Sequence, residues 1–270
     1  MEILSKLSPA ETLLIKEGGK ASFKDLLKFT LADLILKKVL KSDLRPDPNN
    51  DEIPLNYIVK GSNFDYYQPK EHEKVFLNTF AFNSEIEILI KQFVKVGYQY
   101  ARGERHFIFK KMMHSTSLSE YVKNDFFKRL FKTIELTPRG LAAREEIVSS
   151  LQKLEDNYPQ MIKDNPDAAR EVLNRIGGNV FLLSSFDFEL LAKIDEELHQ
   201  QINQPQFAGD DSGETLFWSL LYFDAFSDTF DSSYDSIDSG GFDGGSGCSG
   251  DSGCSGCGGC GGCGGCGGCG

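Results

Sequence analysis

All seven cysteines of this chain (Cys248, Cys254, Cys257, Cys260, Cys263, Cys266 and Cys269) fall within its last 23 residues. From Cys254 onward they recur every third residue, so C-x-x-C is nested five times, and after Cys257 the spacers are Gly-Gly. The 247 residues before Cys248 contain no cysteine. Thiolates at this spacing are candidate metal ligands: four of them close a tetrahedral zinc site with Zn–S bonds of about 2.3 Å. A Gly-rich chain of period three can also extend as a three-fold helix rising about 3.1 Å per residue, which lines the sulfurs along one edge about 9 Å apart. Metal binding therefore requires the chain to bend between neighbouring thiols, and Gly-Gly allows that at little steric cost. Four cysteines on one Zn(II) leave three over, whereas bridged thiolate clusters with Cu(I) or Zn(II) use more of them.

Three readings of the tail follow. Its thiols make it metallothionein-like, loose when empty and ordered when loaded with Zn(II) or Cu(I). Its Gly-Cys and Ser-Cys repeats also resemble the core regions of azole-forming peptide precursors, whose cysteines are cyclised onto the preceding carbonyl, although the 205 residues before the tail are long for a leader. The plainest reading is a disordered adhesive segment that meets a protein partner, or another copy, through aromatics, aspartates and thiols.

Elsewhere the chemistry-bearing residues form no motif. His72, His106, His114 and His199 lack metal-ligand spacing and read as surface or half-buried histidines. Gly18-Gly19 follows no strand and precedes no Gly-Lys-Ser, so it is a helix stop and no phosphate loop. Glu189, Asp195, Glu196 and Glu197 read as a solvated helix face. Arg102, Arg105, Lys110 and Lys111, interleaved with Phe107 and Phe109, form one modest basic cluster. No nucleophile elbow or nucleophile–base pair is visible, and the body is expected to have no catalytic centre.

Charge divides the chain in two. Residues 206–270 hold nine Asp and Glu214 with no Lys or Arg; of the 40 acidic groups this leaves 30 for the body, against 29 basic ones. A near-neutral body on an acidic tail makes nucleic acid an unlikely partner, because phosphate binding needs clustered cations. Eight glycines precede residue 206 and nineteen follow it. There is no apolar run of about 18 residues that would span a membrane. MEILSKLSPAETLL has no secretory pattern, so a cytoplasmic location with reduced thiols is expected.

The elements that must carry the tail are mainly helical. Ser8-Pro9-Ala10-Glu11 is a capping box. Ser22, with Asp25, caps a helix whose inner face is Leu26, Leu27, Thr30, Leu31, Leu34, Ile35 and Val39. Leu44, a turn at 45–51 and a β-type run from Asn56 to Lys60 ending at Gly61 follow, and two helices with a hairpin are the outline of a winged helix over 1–68. A second helical, winged-helix-like module is expected over 69–156. Ser84-x-x-Glu87 opens a helix through Ile86, Leu89, Ile90, Phe93 and Val94, and Ser117-x-x-Glu120 another through Tyr121, Val122, Phe126, Phe127 and Leu130. A strand from Thr133 to Leu136 then leads into Thr137-Pro138, which caps a helix to about Glu155 bearing Leu141, Ile147, Val148, Leu151 and Leu154. A helical extension over 157–205 starts at Asn165-Pro166-Asp167, bends at Gly177-Gly178 and ends in a helix from Phe188 to about Asn203. From 206 to 270 a disordered tail is expected, acidic and aromatic at first and then Gly/Cys-rich. It includes an aromatic patch at 216–226, with Phe230, Tyr234, Ile237 and Phe242 as isolated stickers.

Leu7-Ser8-Pro9-x-Glu11, Gly18-Gly19, the helix end Leu34 to Leu40, Leu136-Thr137-Pro138-Arg139-Gly140 and the Asp/Ser/Phe stretch before the Gly-Gly-Cys repeats together carry a resemblance. The chain resembles a family of uncharacterised bacterial proteins whose shared domain lies next to low-complexity sequence. That family has no established activity, and the membrane-spanning helices of some members have no counterpart here. The N-terminal helix-then-strand order also resembles the phosphoinositide-binding Golgi phosphoprotein fold. The composite expectation is a mainly α, minor β binding or scaffold protein with a thiol-rich tail. The alternatives are a substrate of a thiol-modifying enzyme and a DNA-binding winged-helix regulator.

Overall fold

Residues 1–47, 50–81, 85–123, 134–183 and 223–239 are described by the structure, a computed structural model. Its elements in chain order are α1 (Glu2–Lys6), α2 (Pro9–Glu17), α3 (Phe23–Leu36), β1 (Leu40–Asp47), β2 (Asn50–Lys60), α4 (Lys74–Leu77), β3 (Ile88–Leu89) and α5 (Ile90–Ala101). Then come α6 (Glu104–His106), running into a π turn at Phe107–Met112, α7 (Pro138–Asp164), α8 (Pro166–Ile176) and α9 (Phe223–Ser239). The protein is mainly helical with one small antiparallel sheet in the order β1-β2-β3.

Local chemistry starts the helices where the sequence places them. Ser8 accepts the Glu11 amide at 3.4 Å while the Glu11 carboxylate takes the Ser8 amide at 2.9 Å, a reciprocal capping box with proline at the first helical position. Ser22 caps α3 through the Asp25 amide, Thr137 caps α7 through the Gly140 amide, and Asn165 caps α8 through the Ala168 amide. The last turn of α2 is closed from outside: Arg144 Nε on α7 donates to the Ile15 carbonyl at 2.9 Å.

α3 is the central helix, with Leu26, Leu27, Leu31 and Leu34 wholly buried and even Lys28 and Asp33 nearly so. Lys38 takes a left-handed conformation (φ 55°), which reverses the chain into β1. β1 and β2 are longer than the sequence suggests: the ladder runs from Leu40↔Lys60 to Asp47↔Asn50. β3 pairs with β2 at Tyr57↔Leu89 and Ile58↔Ile88. Ile88 and Leu89 were expected inside a helix opened by Ser84-x-x-Glu87; they form the edge strand instead, and α5 begins at Ile90. Ser84 itself lies outside the described residues.

The expected helix from Ser117 is also replaced, at its start, by something else. Residues 117–121 form turns, and Val122 makes an antiparallel bridge with Leu136, flanked by Lys123 N→Glu135 O and Thr137 N→Tyr121 O. Gly140 sits under this ribbon, and a Cβ there would lie 2.0 Å from the Tyr121 carbonyl oxygen. Phe126, Phe127, Leu130 and Thr133 lie outside the described residues. α7 runs nine residues beyond Glu155, to Asp164, and buries Ala143, Ile147, Leu151, Leu154, Tyr158 and Ile162. Of the apolar residues the sequence gives this helix, Leu141 and Val148 are about half exposed. α8 and the bend at Gly177-Gly178 follow as expected.

One buried cluster draws on every helix but α6, and it includes Phe226 and Phe230 of α9. That corrects one expectation. Phe230, Tyr234 and Ile237 were read as isolated stickers in a disordered tail, yet they share one face of α9 and pack on the body. Spacings of four, four and three residues bring Phe226, Phe230, Tyr234 and Ile237 onto a single stripe, joined by buried Ser233, while Asp228, Ser232, Asp235 and Ser236 are exposed.

Candidate functional site

Two polar features stand out, one inside the body and one on the face that α9 covers. The inner one centres on Glu11. Its side chain has no exposed surface and accepts four hydrogen bonds: the Ser8 amide (2.9 Å), Ser115 Oγ (2.6 Å), Ser117 Oγ (2.6 Å) and Lys70 Nζ (2.5 Å). Burial pushes this carboxyl up, but His72 (charged only once acid protonates it), the Lys70 charge and the hydrogen bonds from Lys70 and Ser115 outweigh it and bring it down to about 2. His72, wholly buried, stands with Nε2 3.4 Å from Ser8 Oγ. Burial drives it down to about 4 against the pull of Glu11, so at neutral pH the ring is uncharged.

A second network adjoins the first. Lys37 Nζ lies 2.6 Å from Asp33 and 3.7 Å from Glu73, and it donates to Tyr67 Oη at 3.3 Å. Tyr67 Oη in turn donates to Glu73 at 2.9 Å. Two buried carboxyls share one ammonium here, and burial pushes both up from the ordinary carboxylate range. The turn at Gly177–Leu182 presses on this pair, since a Cβ on Gly178 would lie 2.4 Å from Asp33 Oδ1. Asn179 then ties the turn to α1, its amide donating to the carbonyls of Leu4, Leu7 and Ile176.

What this interior can do chemically is limited by where its protons point. Ser115 and Ser117 both donate into an ionised carboxylate that is too weak a base to take their protons at neutral pH. Ser8 Oγ is engaged as a helix cap. The cluster joins α2 to the 67–77 segment and the 115–117 turn, which is a structural duty.

The outer feature lies between α3 and α5. α9 packs on both helices. Phe230 is wholly buried, and Phe226 and Ser233 nearly so. The Tyr234 ring meets Phe23 (centroids 6.3 Å) and Tyr98 (5.5 Å), which with Phe107 of the π turn form an aromatic bed; Phe23 and Phe107 are 5.6 Å apart. Lysines on α3 clasp the acidic rim of α9. Lys24 Nζ reaches Asp235 at 3.2 Å and Asp231 at 3.8 Å, and Lys28 Nζ reaches Asp231 at 3.1 Å. Lys24 and Lys28 are one turn apart, as are Asp231 and Asp235, so the pairs match in pitch. Fully burying one Phe side chain contributes about 1.5–3 kcal/mol, which makes Phe230 the principal anchor and the ion pairs the orienting contacts.

Of the residues the sequence singles out, all seven cysteines lie outside the described residues, as do His199, the 188–203 helix, residues 216–222 of the aromatic patch and Phe242. Among the described residues no group of three or more His, Cys, Asp and Glu is placed to hold a metal. His72 proves to be a core residue, where a surface or half-buried one was expected. In the supposed basic cluster Phe107 and Phe109 are buried, while Arg102, Arg105 and Lys110 are exposed and Lys111 is half-buried. Sequence reading missed Lys24, Lys28, Asp231 and Asp235, although their shared four-residue spacing was a usable signal. No helix of the described residues is long and apolar enough to cross a membrane. No known protein family matches this chain, and neither does any curated protein or solved structure.

Proposed function

We propose that this chain is a non-enzymatic binding or scaffold protein whose body presents the thiol-rich segment for metal or partner contact, with α9 as the anchor of that segment. The docking of α9 carries the reading. An acidic, Ser-rich stretch that could not form a core by itself is held by an aromatic bed and two lysines. Cys248 follows Ser239 by nine residues, so the first thiol lies within about 30 Å of the anchored helix whatever path the chain takes. The seven thiols are the ligands for Zn(II) or Cu(I), and the setting that keeps them reduced is the cytoplasm. The helix–helix–hairpin order of α2, α3 and β1–β2 supports a winged-helix-like reading of the N-terminal part, serving protein contact over DNA given the near-neutral body.

The test is titration of the reduced full-length protein with Zn(II) and, separately, Cu(I), counting thiols that still react with an alkylating reagent. Protection of several thiols, absent when all seven cysteines are changed to serine, is the expected result. Full reactivity under both metals, with no host protein retained by the wild type and lost by the serine variant, overturns the reading. Intact mass from the native host separates the azole alternative, which removes one water and two hydrogens per cysteine.

A further inference from the structure

The contact between α9 and the α3–α5 groove joins parts of the chain that are far apart in sequence. Between Leu183, the last described residue of the body, and Phe223, the first of α9, lie 39 residues. Among the described residues the contact is made by two faces: Tyr234 on Phe23 and Tyr98, with Phe230 buried beside it, and two lysines against two aspartates at matched pitch. Every copy of the chain carries both faces.

We propose that this contact is transferable between copies: α9 of one molecule docks in the α3–α5 groove of a second, whose own α9 returns the contact, giving a closed, two-fold exchanged dimer. Such an interface is isologous and introduces no surface that the single chain lacks. A molecule's own helix is covalently tied to its own groove, so dilute protein docks its helix in cis and exchange sets in as copies are crowded together. The inference stands on the docking geometry and does not depend on what the thiols bind. Its consequence for the proposed function is that exchange would bring two thiol-bearing segments onto one particle.

The test uses charge reversal in the full-length chain. One variant carries Asp231→Lys and Asp235→Lys, the other Lys24→Asp and Lys28→Asp. In each, helix and groove bear like charges and repel; between the two, both helix–groove pairings are attractive. Exchange relieves two repulsions at once, so mixing drives pairing even where a variant still docks its own helix weakly. The expected result is a doubling of mass by light scattering on mixing only, reversed by high salt, with hydrogen-exchange protection regained across residues 223–239. A chain carrying all four substitutions is expected to be monomeric at the same concentration with its helix docked in cis. A mixture that stays monomeric overturns the proposal. So does a mixed dimer whose residues 223–239 are no better protected than in the separate variants, and so does a four-substitution chain that fails to dock. Repeating the mixture with all seven cysteines changed to serine separates the two ideas: pairing survives if exchange is right, whatever becomes of metal binding.

Discussion

Replacing Glu11 by glutamine removes one charge from the interior and very little else. The amide has nearly the shape of the carboxylate, and its oxygen can still accept the Ser8 amide, so the capping box that starts α2 is kept. What is lost is the ionised partner of Lys70 and the anionic acceptor of Ser115 and Ser117. Two routes give the cost. The carboxyl is held at about 2 against an ordinary 4.5, and 2.5 pH units at 1.36 kcal/mol each set a ceiling of about 3 kcal/mol, since the share owed to a protonated His72 is absent at pH 7. Breaking a buried ion pair by removing one partner costs about 3–5 kcal/mol. Glu11→Gln is therefore expected to lower unfolding free energy by up to about 3 kcal/mol at pH 7, read from urea titrations followed by far-UV circular dichroism. The depressed value fixes the pH dependence. The contribution is complete above pH 4.5 and is lost as the pH falls toward 2, so the gap between wild type and variant shrinks to about 1 kcal/mol near pH 3. A gap under about 1 kcal/mol at pH 7, or one that does not narrow on acidification, refutes the view that an ionised Glu11 holds α2 to its neighbours.

Three further outcomes are expected. His72 sits at about 4 in the fold and 6.5 outside it, so the unfolded chain takes the proton first and wild type loses up to about 3 kcal/mol as the pH falls from 6.5 to 4. His72→Gln lacks that slope. The opposite contributions of Asp33 and Glu73, whose carboxyls burial raises, remain in both proteins and cancel when the two stability curves are compared between pH 7 and 5. Gly140→Ala drives a methyl against the Tyr121 carbonyl and is expected to cost about 1–3 kcal/mol or more, with hydrogen exchange rising first at the Val122–Leu136 bridge. Asn179→Ala strips the buried carbonyls of Leu4, Leu7 and Ile176 of their donor, an expected loss of about 1–3 kcal/mol in calorimetric or urea unfolding.

The sequence was most legible where the deciding chemistry spans a few residues. Ser8 with Glu11, Ser22 with Asp25, Thr137 with Pro138 and Gly140, and Asn165 with Pro166 each cap the helix they were expected to cap, because a cap closes on backbone amides two or three residues away. Ser117-x-x-Glu120 carries the same pattern and caps nothing; its hydroxyl is drawn across the fold to Glu11, a partner 106 positions away. β1 was underestimated because Lys41, Ser42, Asp43 and Arg45 give no apolar alternation. Its backbone pairs nonetheless along β2, and Arg45 is fixed by Asp43 and bidentately by Glu87. Leu141 and Val148 share a face of α7, but contact with α2 turns that face outward and buries Ala143 and Ile147. Glu11, Lys70 and His72 carry no local mark of their association, since one comes from a capping box and the others from a stretch without periodicity. In α9 the aspartates and serines dominate composition and mask a stripe that only position, not residue count, reveals.

The anchoring of α9 also bears on the order in which the molecule can be completed. Ribosomes add about 5–20 residues per second, so the 56 residues from Leu183 to Ser239 take roughly 3–11 s to make. Throughout that interval Phe23 and Tyr98 lack the Tyr234 ring, and Lys24 and Lys28 lack Asp231 and Asp235. A late-made stretch of the chain is thus the one that seals this seam, and a message cut short before codon 230 would release a product lacking Phe230 and Tyr234 from it.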